Sequence, residues 1–101
     1  MQAIRLVANY RVKPGRYTDL FEGMKAFKKV AGRLGASLVV NRQVAGPETG
    51  SVFVVAQFEN WAAYAKTASD PELQGLIDAM RNNRDSAYET VTVSLNEEVG
   101  I

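Results

Sequence analysis

The order in which the hydrophobic period changes along this chain restricts its fold more than any single motif does. Residues 3–13 alternate: Ile4, Leu6, Ala8, Tyr10 and Val12 share one face, and Arg5, Val7, Asn9 and Arg11 share the other. Pro14-Gly15 ends that strand, because proline cannot extend a ladder and glycine permits the turn. From residue 17 the period becomes helical. Tyr17, Leu20, Phe21, Met24, Phe27, Ala31 and Leu34 form one stripe, and Gly35 is a natural stop. Leu38 opens a second strand that runs to about residue 44, and Gly46-Pro47-Glu48-Thr49-Gly50 is a turn cluster. Residues 52–58 (VFVVAQF) read as a third strand. Asn60 caps a short helix, and Asp70-Pro71 caps another with the stripe Leu73, Leu76, Ile77 and Met80. Residues 88–95 (YETVTVSL) alternate strictly as the last strand. The order is βαββαβ, in a single domain over residues 1–101.

That order predicts an α+β fold: a four-stranded antiparallel sheet with both helical regions on one face. Tyr17, Leu20, Phe21, Met24, Phe27, Leu73, Leu76 and Ile77 are then expected to be mostly buried. Gly23 and Gly32 fall inside the first helix. Each is either tolerated weakness or a site of close backbone approach to the sheet or a ligand. The third strand is apolar at nearly every position, which is the pattern of a central strand covered on both faces. Two helical regions cover only one face of such a sheet. A second copy of the sheet is the economical cover for the other, so the sequence predicts a homodimer. Val7 and one alternating set on the second and last strands would extend that surface. Arg5, Asn9 and Arg11 would line it, with Glu89 as a charge partner. The charges are also uneven. Residues 1–50 hold nine Lys/Arg and three Asp/Glu, and residues 51–101 hold three and eight. This asymmetry fits two solvated faces or a self-complementary dimer.

The chain has no His and no Cys, which removes most metal sites, imidazole bases and thiol nucleophiles. A net charge of +1 argues against a nucleic-acid partner bound by phosphate neutralisation. No apolar run approaches the ~18 residues of a membrane span. The start MQAIRLVANYRV alternates and carries charge, unlike an export signal, so a cytoplasmic location is expected. Asp70/Glu72 and Glu97/Glu98 lack the loop spacing of a cation site, and Pro14-Gly15-Arg16 is too short for a phosphate loop. Neither a metal nor a cofactor is expected.

Four stretches carry a family resemblance: YRVKPGRYTDLFEGM at 10–24, VVAQFENWAAYAK at 54–66, SDPELQGLIDAM at 69–80 and VTVSLNEEV ending at Val99. In this order they resemble the dimeric α/β-barrel superfamily, near its antibiotic-biosynthesis-monooxygenase and NIPSNAP-like branches. The resemblance implies a ferredoxin-like half-barrel, two subunits packed sheet against sheet, and a pocket in each between sheet and helices. The heme-degrading branch uses an Asn on the first strand, a Trp in the second helical region and a His on iron. Anchored on Gly15, Ala8 takes the Asn position and Asn9 misses it by one residue, which turns its side chain to the opposite face. Trp61 comes several residues too early, and there is no His. The pattern does not support heme degradation.

The expected function is binding of a small apolar or aromatic molecule by a homodimer. Some relatives oxidise electron-rich aromatics without metal or flavin, so a cofactor-independent monooxygenase is the alternative. Such chemistry needs an apolar pocket and a few donors to stabilise an oxyanion. A structural or stress-associated dimer without ligand is the third reading, since no acid, base or nucleophile stands out. The candidate ligand-binding residues are Tyr10, Tyr17, Phe21, Arg42, Trp61 and Tyr64, with Lys28 as a cation at the pocket mouth. Each also has a plain reading: the aromatics as core packing, and Lys28 as a snorkelling side chain.

Overall fold

The structure, a computed structural model, describes residues 3–82 and 85–101. Its elements are β1 (Ile4–Val12), α1 (Tyr17–Arg33), β2 (Ser37–Arg42), β3 (Val52–Phe58), α2 (Trp61–Ala68), α3 (Pro71–Arg81) and β4 (Tyr88–Glu97). The strands form one antiparallel sheet in the order β2-β3-β1-β4, the ferredoxin-like arrangement. The second helical region is two helices, each opened by the cap read from the sequence. Asn60 accepts from the Ala63 N–H at 2.9 Å, and Asp70 from the Leu73 N–H at 3.1 Å. Gly35 ends α1 at φ +84°, a left-handed position that glycine adopts without strain, while the Ala36 N–H reaches back to the Ala31 carbonyl. β2 stops at Arg42, short of the expected residue 44. Gln43 instead turns into the loop, where its side-chain carbonyl accepts from the Glu48 N–H.

The register assigns every strand side chain to a face, because paired residues point the same way. The helix side carries the rows Leu38–Ala56–Leu6–Leu95, Val40–Val54–Ala8–Val93 and Arg42–Val52–Tyr10–Val91. The open side carries Ser37–Gln57–Arg5–Asn96, Val39–Val55–Val7–Ser94 and Asn41–Phe53–Asn9–Thr92. Under the helices, Leu20 and Met24 of α1 pack with Ala8, Tyr10, Val52 and Val54. Ala31 packs with Ile4, Ala36, Ala56 and Phe58, where Tyr64 of α2 also docks. Burying a side chain such as Leu20 or Met24 contributes roughly 1.5–3 kcal/mol.

Two expectations need correction. The apolar set of β4 does not extend the open face. Val91, Val93 and Leu95 lie on the helix side, and Thr92 and Ser94 lie on the open side. Nor are the helical stripes uniformly buried. Leu20 and Met24 are buried, but Tyr17, Phe21, Phe27, Leu73, Leu76 and Ile77 are only half-buried, and α3 has no buried residue. The reason is position. α1 occupies the sheet, and α3 rests mainly against α1 and α2. Arg5 forms an ion pair within its own chain, to Glu98 at 3.2 Å, and also donates to Gln57. Glu89 is exposed, at the irregularity where the β1–β4 register shifts. Among the described residues, no helix is long and apolar enough to cross a membrane.

Gly23 and Gly32 are not sites of close approach, since a Cβ at either would meet nothing within 4 Å. Gly23→Ala should therefore raise stability by about 1 kcal/mol, read as a higher urea midpoint. Asp70 is held below the usual carboxylate range, chiefly by the Leu73 N–H and then by Arg33. Its folded-state stabilisation is present above the ordinary value of about 4 and is lost as pH falls through the lower folded value. Asp70→Asn keeps the capping oxygen but not the charge. The wild-type advantage in urea midpoint over this variant should be clear at pH 7 and should close as pH is lowered past that range.

Candidate binding cleft

The cleft lies along the seam between α1 and α3. Arg33 near the end of α1 reaches both Asp70 and Glu72 at the start of α3, each at 3.2 Å, and ties the two helices together there. Further along, the facing side chains are small, Gly23 and Ala26 on α1 and Ala79 on α3, so the helices do not fill the space between them. A cavity of about 270 Å³ results. Its walls and floor are Leu20, Phe27, Leu76, Met80, Ala87 and Tyr88, and its mouth carries Arg16, Asp19, Asp85 and Ser86. Past Ala26 and Leu76 the seam opens into a second depression of about 410 Å³ beside Lys29, Arg33 and Glu72. Only Val30 is buried there, whereas the first cavity reaches the core at Leu20 and Ala87. The first is therefore the better candidate, despite its smaller volume.

The electrostatics of the mouth are largely internal. Arg16 binds Asp19 through Nε and Asp85 through Nη1, and its Nη2 donates to the Asp85 carbonyl. These bonds raise the Arg16 pKa, first through Asp19 and then through Asp85. An anionic ligand would have to displace a carboxylate to reach this cation. Deeper in, Tyr10 stands behind the lining. Its ring meets Tyr88 edge-on at 5.1 Å, and its hydroxyl contacts the Met80 sulfur at 4.0 Å. Burial, with Tyr88 adding to it, pushes the Tyr10 phenol up to about 12. It therefore keeps its proton, and remains a donor, throughout the physiological range.

None of the candidate ligand-binding residues singled out from the sequence lines either depression. Tyr10 is behind the cleft. Tyr17 and Phe21 pack against the same core cluster as Tyr10, on the side where Arg42 sits 5.8 Å from the Tyr17 ring centre and the Tyr17 hydroxyl donates to the Gly50 carbonyl. Trp61 and Tyr64 stack edge-on beside Phe58, and the Trp61 indole donates to Glu97 at 2.8 Å. Lys28 is exposed on α1. Sequence reasoning did not single out Met80, Leu76, Tyr88 or Arg16 as site residues. The small residues Gly23 and Ala26, three apart on the helix, were the available signal. Among the described residues, no group of three His, Cys, Asp or Glu side chains could hold a metal ion.

No protein-family model matches the chain, and no curated protein matches it. Solved structures do. An antibiotic biosynthesis monooxygenase-like protein of Deinococcus radiodurans is 13% identical, with a TM-score of 0.74 over 97% of this chain and 93% of that one. A NIPSNAP family protein of Agrobacterium tumefaciens, of unknown function, is 14% identical, with a TM-score of 0.62 over 95% and 87%. A dimeric protein of unknown function and ferredoxin-like fold from Bacteroides fragilis is 13% identical, with a TM-score of 0.61 over 95% and 96%. At these identities the likeness establishes the fold: the chain has the ferredoxin-like α+β architecture of these proteins.

Proposed function

We propose that the chain works as a homodimer joined through the open face of its sheet, and that each subunit binds one small apolar or aromatic molecule in the α1–α3 cleft. The observation that carries the binding reading is the cleft's construction. It has an apolar interior reaching the core, a polar mouth whose cation is already paired, and small side chains that keep it open. Its volume lies just below the ~300–1,000 Å³ common for ligand sites, which suits a molecule of one substituted ring. The carboxylates of its lining, Asp19 and Asp85, are both bound to Arg16, and the Ser86 hydroxyl donates to the Tyr88 carbonyl, so binding is favoured over catalysis. The homodimer draws support from the open face, where the apolar row Val39–Val55–Val7 and Phe53 are flanked by polar residues. That is the anatomy of an interface with an apolar centre and a wet rim. The dimeric Bacteroides fragilis protein of the same fold adds to it. A cytoplasmic location remains part of this reading.

Two measurements test it. Light scattering at micromolar concentration should report twice the 11.1 kDa of one chain, and Arg11→Glu, which reverses a charge on the open face two residues along β1 from Asn9, should lower that mass. A monomeric wild type would overturn the assembly. For the cleft, titration with ethylbenzene should move the backbone amide resonances of Gly23, Leu76 and Tyr88. Gly23→Leu, which projects a side chain into the cavity, should abolish those shifts. Shifts confined to other residues, or unchanged in the variant, would refute the assignment.

A further inference from the structure

Tyr10 presents an unusual combination of burial and weak partnering. It is 9% exposed, on the central strand β1, and its proton is held firmly. Yet among the described residues its hydroxyl contact is a thioether at 4.0 Å, and a thioether sulfur is a poor acceptor. A buried phenol usually finds a full hydrogen-bond partner. The sulfur belongs to Met80, which lines the cleft, and the Tyr10 ring rests on Tyr88, which lines it too. One flexible side chain therefore stands between an underused donor and the cavity. Methionine has three rotatable side-chain bonds and repacks at small cost.

We propose that the Tyr10 hydroxyl is the specificity-determining donor of the cleft. A ligand turns Met80 aside and places an uncharged acceptor oxygen, best a ketone-type carbonyl, on the Tyr10 O–H. This inference rests on the cleft being a binding site. It narrows the ligand class to compact apolar molecules with one neutral acceptor. An anion is disfavoured, because the burial that keeps Tyr10 protonated penalises any charge placed beside it. A purely hydrocarbon ligand would leave the donor with only its sulfur. Tyr10 forms no covalent bond in this scheme and need not lose its proton. Its role is to discriminate.

The test compares acetophenone with ethylbenzene, which are similar in shape and differ at the carbonyl. Affinities are measured by NMR titration on the full chain. The quantity read is the ketone-to-hydrocarbon affinity ratio in each variant, so the ketone's better hydration cancels between proteins. One neutral hydrogen bond makes the ratio roughly fivefold larger in wild type than in Tyr10→Phe, which keeps the ring and removes the donor. Met80→Leu preserves volume but deletes the competing sulfur, and should keep or raise the wild-type ratio. A Tyr10 that only packs the core would leave the ratio equal in all three proteins. That outcome, with both probes bound, would overturn the inference and leave the cleft reading intact. A loss of the ketone preference in Met80→Leu would also overturn it, since the sulfur would then be the element that matters. Failure of both probes to bind wild type would overturn the cleft reading and this inference together, binding of ethylbenzene alone would overturn this inference only, and binding of acetophenone alone, lost in Tyr10→Phe, would support it.

Discussion

The contact on which the rest of this structure depends is that between α1 and the helix-side rows of β1 and β3. Leu20 and Met24 descend onto Ala8, Tyr10, Val52 and Val54. Ala8 is small, and that lets the helix lie close to the sheet's middle. Once α1 is seated there, the central positions over the sheet are occupied. Ala31 continues the contact toward Ile4, Ala56 and Phe58, where α2 completes the cover with Tyr64. Leu6 and Leu38 pack against both groups and make one continuous layer.

The placement of α3 follows from that occupancy. Met80 near its end reaches Tyr10 of β1, but the helix as a whole leans on α1 and α2 with its apolar stripe only half-buried. Its N-terminus is secured by the Asp70 cap and by Arg33, which reaches Asp70 and Glu72. The facing surfaces at Gly23, Ala26 and Ala79 are too small to close the seam. The cleft is thus a by-product of one helix taking the sheet and the next being held at arm's length. Met80 and Tyr88 are the side chains through which that space communicates with Tyr10 and the core.

Strand β4 shows how register redistributes an apolar pattern. Its alternation is strict, yet Val91, Val93 and Leu95 fall on the helix side at the sheet's edge, beyond the cover of α1, and Val93 stays 61% exposed. The open face is left with a narrower apolar centre on β2, β3 and β1. Polar residues surround that centre, including Arg5, which is already satisfied by Gln57 and Glu98.

The sequence by itself determined the element order, the three capping or stop positions at Gly35, Asn60 and Asp70, and the central place of β3. These are local matters: a period of two or 3.6, a short polar side chain before a helix, and a glycine where φ turns positive. It also exposed Tyr10 as a residue on the buried face of its strand. What only the tertiary structure decided was the company each residue keeps. The aromatics Tyr10, Tyr17 and Trp61 all carry an apolar signature in the sequence, yet Tyr10 and Tyr17 share one core cluster while Trp61 stands outside it beside Tyr64, because packing of α1 and α2 assigns them to different parts of the sheet. Which alternating set of β4 faces the helices depended on pairing with β1 some eighty residues earlier in the chain, and a shift of one position would have reversed it. The cleft was illegible for the same reason. A cavity is defined by what is absent between two elements, and the small residues Gly23 and Ala26 mark one wall of it without recording how far apart packing will hold the helices.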